Sequence, residues 1–146
     1  MLTPVVLIPL DGSPEAEYAL AQAEAAARSL GHGLRLLGIV DPTPQPGTAS
    51  PAPSLNFPVL QRRVELEAYL HRLARLLQRR GVMTELLVLC EPAGRALTKA
   101  VGAPEVVLTV MARPEESGAA AVDMERIVLE AAAGAVLVVQ PQMQPV

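Results

Sequence analysis

Short apolar runs and longer stretches of helical periodicity alternate along this chain, and that alternation predicts strands joined by crossover helices. The runs Val5 to Pro9, Leu34 to Val40, Glu85 to Cys90, Val106 to Met111 and Ala135 to Val139 read as five strands. Their apolar positions are nearly continuous, which suits strands covered on both faces, as in a parallel sheet. Helical patterns fall between them, near Pro14 to Leu30, Val59 to Arg80, Ala93 to Val101 and Asp123 to Ala132. In the first, Ala16, Ala19, Leu20, Ala23, Ala26, Ala27 and Leu30 make a small-residue face that lets a helix lie close to a sheet. In the second, Leu66, Leu70, Leu73 and Leu77 form the buried stripe. Right-handed crossovers place helices on both faces of such a sheet, so the fold class is α/β.

The first strand ends in Pro9-Leu10-Asp11-Gly12-Ser13-Pro14, which reads as strand, hinge and helix start. Gly12 permits a sharp turn, Ser13 can cap the helix, and Pro14 suits its first position because the missing N–H has no partner there anyway. Ligands of open α/β sheets sit outside the carboxyl ends of the strands, so Asp11 stands where a ligand would be.

The 146 residues are expected to form a single domain, 1–146. Half of them are hydrophobic but only 2% are aromatic, so the core must be built from Ala, Val and Leu in close packing. Residues 42–58, with Pro42, Pro44, Pro46, Pro51 and Pro53, are too proline-rich for a helix or a central strand and are expected to form a flexible loop. The net charge of −3 argues against a nucleic-acid or membrane surface as the main partner. The arginines of the second helix, Arg62, Arg63, Arg72, Arg75, Arg79 and Arg80, then read as a solvated face rather than a nucleic-acid interface. Cys90 is the only cysteine, which excludes an intramolecular disulfide and cysteine-rich zinc sites. With no membrane-length apolar stretch and no signal-type N-terminus, the expected compartment is the cytoplasm. His32 and His71 lack metal-ligand spacing and are expected at the surface, while Cys90 is expected as a small core residue, with a redox-sensitive thiol near the cleft as the alternative.

The opening strand with Pro9-Leu10-Asp11-Gly12-Ser13, the Ala-rich helix reaching Leu30-Gly31, the second strand to Val40, Glu91-Pro92-Ala93 and the closing Val136-Leu137-Val138-Val139 together resemble the universal stress protein family. The resemblance implies a Rossmann-like, adenine-nucleotide alpha-hydrolase-like sheet with strand order 3-2-1-4-5. It also implies an adenosine half-site at Pro9, Leu10, Asp11 and Val40. The family's ATP-binding branch then uses a G-x2-G-x9-G-[S/T] motif around the phosphates. Here the corresponding stretch is Val110-Met111-Ala112-Arg113-Pro114-Glu115-Glu116-Ser117-Gly118, so the two phosphate-loop glycines become Ala112 and Glu115. The downstream Gly-Ser/Thr aligns with Val122-Asp123, where Asp123 can serve as a helix cap. Side chains at such positions hold a phosphate away from the backbone N–H groups, Pro114 lacks one outright, and Glu115, Glu116, Asp123 and Glu125 add repulsion. Gly94-Arg95-Ala96-Leu97-Thr98-Lys99 lacks the second glycine of a phosphate-binding loop and reads as a helix start.

The expected function is therefore a non-catalytic, dimeric stress-response or regulatory module that takes no cofactor and acts through protein contacts. The alternatives are an adenine-nucleotide-binding protein with weak ATPase activity, using ATP or AMP with Mg2+ held by the acidic residues, and a sensor of a small adenosine-like ligand. The homodimer is expected through the fifth strand, where Val136, Leu137, Val138 and Val139 leave an apolar edge that another copy can pair with.

Overall fold

The computed structural model describes residues 3–43, 57–113 and 119–140. Five strands, β1 (Val5–Pro9), β2 (Gly33–Ile39), β3 (Thr84–Leu89), β4 (Val106–Ala112) and β5 (Ala135–Val139), alternate with four helices, α1 (Pro14–Leu30), α2 (Phe57–Arg79), α3 (Ala93–Val101) and α4 (Ala119–Ala131). The strands pair in parallel in the order β3-β2-β1-β4-β5, the order that the family resemblance implies. The proline-rich loop, except its two ends, lies outside the described residues, as do Pro114, Glu115 and Glu116.

Alternate residues of the central strands enter two cores, one on each face of the sheet. Val6, Ile8, Leu34, Leu36 and Val110 pack with α1 and α2 through Ala16, Ala19, Ala23, Ala27, Leu70 and Leu77. Val5, Leu7, Leu37, Val106 and Met111 pack with α3 and α4 through Leu97, Val101 and Val128. Gly38 lets α2 approach closely, since a Cβ there would lie 2.7 Å from Leu66 Cδ2.

Three local expectations need correction. α4 begins at Ala119, not at Asp123, because its alanines continue the helix upstream; Asp123 is thus an exposed residue inside the helix and not its cap. Leu30 is half exposed, because α1 ends at the left-handed Gly31 just beyond the sheet. Cys90 is exposed, because β3 stops at Leu89 and leaves the thiol past the last paired residue.

The end of the sheet at the strand N-termini is held by ions. Glu24 is buried on α1 and pairs with Arg28 at 3.1 Å and Arg80 at 3.2 Å. Arg35 of β2 bonds Glu85 of β3 and Glu105, the latter at 2.9 Å. Burial alone would lower the Arg35 pKa, but the bonds to Glu105 and Glu85 outweigh it and raise it, while the same Arg35 contact holds the Glu105 carboxyl low. His32 lines a cavity at this end with Arg28 and Arg35, far from Asp11 in the topology.

Candidate functional site: a cleft at the carboxyl ends of the strands

The hinge after β1 has the form its residues dictate. Gly12 adopts φ +90°, Asp11 Oδ1 accepts the Ser13 N–H at 2.9 Å, and Ser13 Oγ accepts the Ala16 N–H at 3.3 Å as the α1 cap. Part of the Asp11 carboxylate is therefore engaged in shaping the turn.

β2 ends in a second carboxylate. Asp41 accepts the backbone N–H of Thr43 at 2.8 Å and that of Ala93, the first residue of α3, at 2.9 Å. Hydrogen bonds from the Thr43 side chain, the Ala93 amide and the Thr43 amide hold its carboxyl below the ordinary value. Arg62 of α2 donates to the Asp41 carbonyl at 3.0 Å and ties the long helix to the same corner.

Between these corners lies a cleft of about 530 Å³. Pro9, Leu10 and Asp11 form one wall, Ile39 and Asp41 another, and Met111 and Ala112 the third, with Leu37, Leu97 and Val128 below. Asp11, Glu15 and Asp41 are its charged lining groups, and among the described residues no Lys, Arg or His joins them. Next to it Arg113 is paired with Glu125 at 3.0 Å and so bridges the end of β4 to α4.

Of the residues singled out by resemblance, Pro9, Leu10, Asp11 and Ala112 come together in this cleft. Val40 does not line it: its side chain is buried and its N–H donates to the Leu89 carbonyl at 2.9 Å, so it closes the β2–β3 ladder. Asp123 is exposed on α4, Val122 lies in the same helix, and Glu115 falls outside the described residues. Val136, Leu137, Val138 and Val139 form β5, the sheet edge; Val136 and Val138 pack toward α4, and Leu137 is 42% exposed. Asp41 escaped sequence reading. Asp-Pro-Thr hints at a local turn, but nothing local signals a bond to Ala93.

No group of His, Cys, Asp and Glu suited to a metal ion occurs among the described residues, and none of their helices is long and apolar enough to cross a membrane.

A parallel sheet in this order, with its cleft at the strand carboxyl ends, defines a Rossmann-like α/β module. The universal stress protein family model matches residues 4–139, and the chain belongs to that family. It is similar in structure to UspA from Lactobacillus plantarum, with TM-score 0.74 and 16% identity over 95% of this chain and 99% of the other. A family protein from Burkholderia pseudomallei superposes with TM-score 0.67 and 27% identity over 94% and 96% of the two chains. The universal stress protein from Archaeoglobus fulgidus in complex with dAMP gives TM-score 0.61 and 20% identity over 94% and 98%. No curated protein matches the chain significantly.

Proposed function

We propose that this protein is a non-catalytic, dimeric regulatory module of its family that does not bind ATP. The charge of the cleft carries this reading: beside Asp11, which the ATP-binding branch also has, Glu15 and Asp41 line it, without a cation among the described residues. A phosphate oxygen about 4 Å from one carboxylate is disfavoured by about 1 kcal/mol in water-like surroundings and about 4 kcal/mol at an effective dielectric near 20. At the lower dielectric, two such contacts offset nearly all of the roughly 8 kcal/mol of a micromolar affinity. Ala112 also places a side chain where the family's phosphate-binding branch has glycine.

Chemistry finds little purchase in the described lining. The Ser13 hydroxyl caps α1, the Asp11 carboxylate holds the Ser13 amide, and His32 and His71 lie elsewhere. Dimerisation through β5 is supported by the partly exposed Leu137 on a strand that pairs on one side only among the described residues.

A second reading, a sensor of a small adenosine-like ligand, is favoured by the apolar floor of the cleft and by the dAMP complex of the Archaeoglobus relative. Parallel calorimetric titrations with Mg-ATP and AMP test both. Mg-ATP is expected to bind more weakly than about 100 μM. Tight Mg-ATP binding that weakens in Asp11→Ala would overturn the main reading, and binding of AMP alone would establish the second.

A further inference from the structure

β3 forms the other edge of the sheet, and among the described residues its outward backbone is largely unpartnered. The Leu34 N–H donates to the Met83 carbonyl at 2.8 Å and the Val40 N–H to the Leu89 carbonyl at 2.9 Å. In a parallel ladder the bonding residues alternate, so Thr84, Leu86 and Val88 direct their N–H and C=O groups away from β2. The Gln78 amide covers one of these groups, the Thr84 carbonyl, at 3.2 Å. Leu86 and Val88 keep theirs, on a strand with no proline and with Glu85 as its one charge.

A groove flanks this edge on each face of the sheet. On the α2 side, about 540 Å³ opens over Leu86 and Val88, walled by Arg63, Glu67, His71 and Arg75. On the α3 side, about 400 Å³ opens over Leu87 and Leu89, beside Ala100 and Ala103. Successive side chains of an added strand would enter the two grooves in turn. The grooves differ in charge. Arg63 is paired with Glu67, but Arg75 has no ion pair among the described residues, nor do Arg72 and Arg79 on the same helix. On the α3 side, Lys99 is paired with Glu91 and Arg35 with Glu85 and Glu105, so the uncommitted surface is aliphatic.

We propose that the β3 edge docks an extended segment of a partner protein in which carboxylate and aliphatic side chains alternate. The segment adds as a sixth strand, its carboxylates facing Arg75 and its aliphatic side chains resting on Leu87 and Leu89. A second copy fits worse: two-fold pairing of β3 with itself keeps both α2 helices on one face and sets their arginines against each other. The proposal does not depend on what the cleft binds.

The test is fluorescence anisotropy with a capped, labelled peptide of alternating Glu and Val, about eight residues long, beside its Lys–Val counterpart. The Glu–Val peptide is expected to bind, and the Lys–Val peptide to bind at least about tenfold more weakly. The exposed substitution Arg75→Glu is expected to weaken the Glu–Val peptide by a similar factor, whereas Val88→Pro, which removes an outward N–H and leaves the β2 ladder intact, abolishes binding. Equal binding of both peptides, indifference to Arg75→Glu, or no binding at about 1 mM overturns the proposal. So does a native chain that self-associates in light scattering and is dissociated by Val88→Pro, since the edge then belongs to a second copy.

Discussion

The carboxylate of Asp41, at the end of β2, caps α3 from 52 residues away by accepting the Ala93 N–H at 2.9 Å. The residue that would normally do so, Pro92, has no side-chain acceptor. Asp41→Ala is expected to lose about 1 kcal/mol of stability in urea denaturation, with Asp41→Asn recovering part of it. The effect depends on pH. A carboxyl held low in the folded state stabilises above its ordinary value of 3.8, and the contribution disappears as pH falls through the lower folded value. The gap between native protein and Asp41→Ala should therefore shrink between about pH 5 and about pH 2; a constant gap would mean that the ionised carboxylate holds the corner no better than the neutral acid.

Glu24 yields a prediction of asymmetry. Its side chain is 8% exposed, whereas those of its partners Arg28 and Arg80 are 47% and 56% exposed. Removing the glutamate leaves two arginines that water can solvate; removing both arginines strands a carboxylate beside the sheet. Glu24→Ala is expected to cost about 1 kcal/mol and the Arg28→Ala/Arg80→Ala double variant about 2 to 3 kcal/mol. Equal losses in denaturant melts would refute the asymmetry.

Two glycines should respond unequally to alanine. A Cβ at Gly134 would press on the backbone carbonyl of Val107 and come within 2.8 Å of the Val106 carbonyl, whereas at Gly38 it meets the ends of Leu66 and Leu70, which can turn aside. Gly134→Ala is expected to cost about 3 kcal/mol and Gly38→Ala about 1 kcal/mol, read as a difference in melting temperature. The reverse order would place the tight packing under α2 instead.

The dimer edge is tested by mass. Native protein is expected to scatter as a dimer, and Leu137→Lys as a monomer with an unchanged circular dichroism spectrum. A native monomer, or a dimer indifferent to the lysine, would show that β5 is not the contact.

Features whose signals are local were legible in the chain. Gly12, Ser13 and Pro14 mark the hinge within three consecutive residues, and the Leu70 and Leu77 stripe marks the face of α2 that the core receives. The strand order came from family resemblance, because periodicity alone does not say which strands are neighbours. Strand ends are harder to place: Val40 and Cys90 continue apolar runs, yet each strand ends one residue earlier, and Val40 is buried making the last bond between β2 and β3 while Cys90 is exposed. The start of α4 is obscured in the sequence because Asp123 has the chemistry of a cap while the alanines before it, which carry the helix propensity, mark no boundary. In the cleft, Asp11 announced itself by its hinge. Asp41 and the burial of Glu24 did not, because Ala93 and Arg80, which make sense of them, lie far along the chain.

The ion networks of Glu24 and Arg35 lie at the opposite end of the strands from Asp11, Ala112 and the cleft. These two ionic clamps are thus separate from the cleft lining, where Asp41 also holds a helix start in place. Substitution at the cleft mouth leaves both clamps untouched, so descent within such a lineage can discard one ligand and try another without unfolding. A chain can keep the architecture of its ancestors long after it has changed what it recognises.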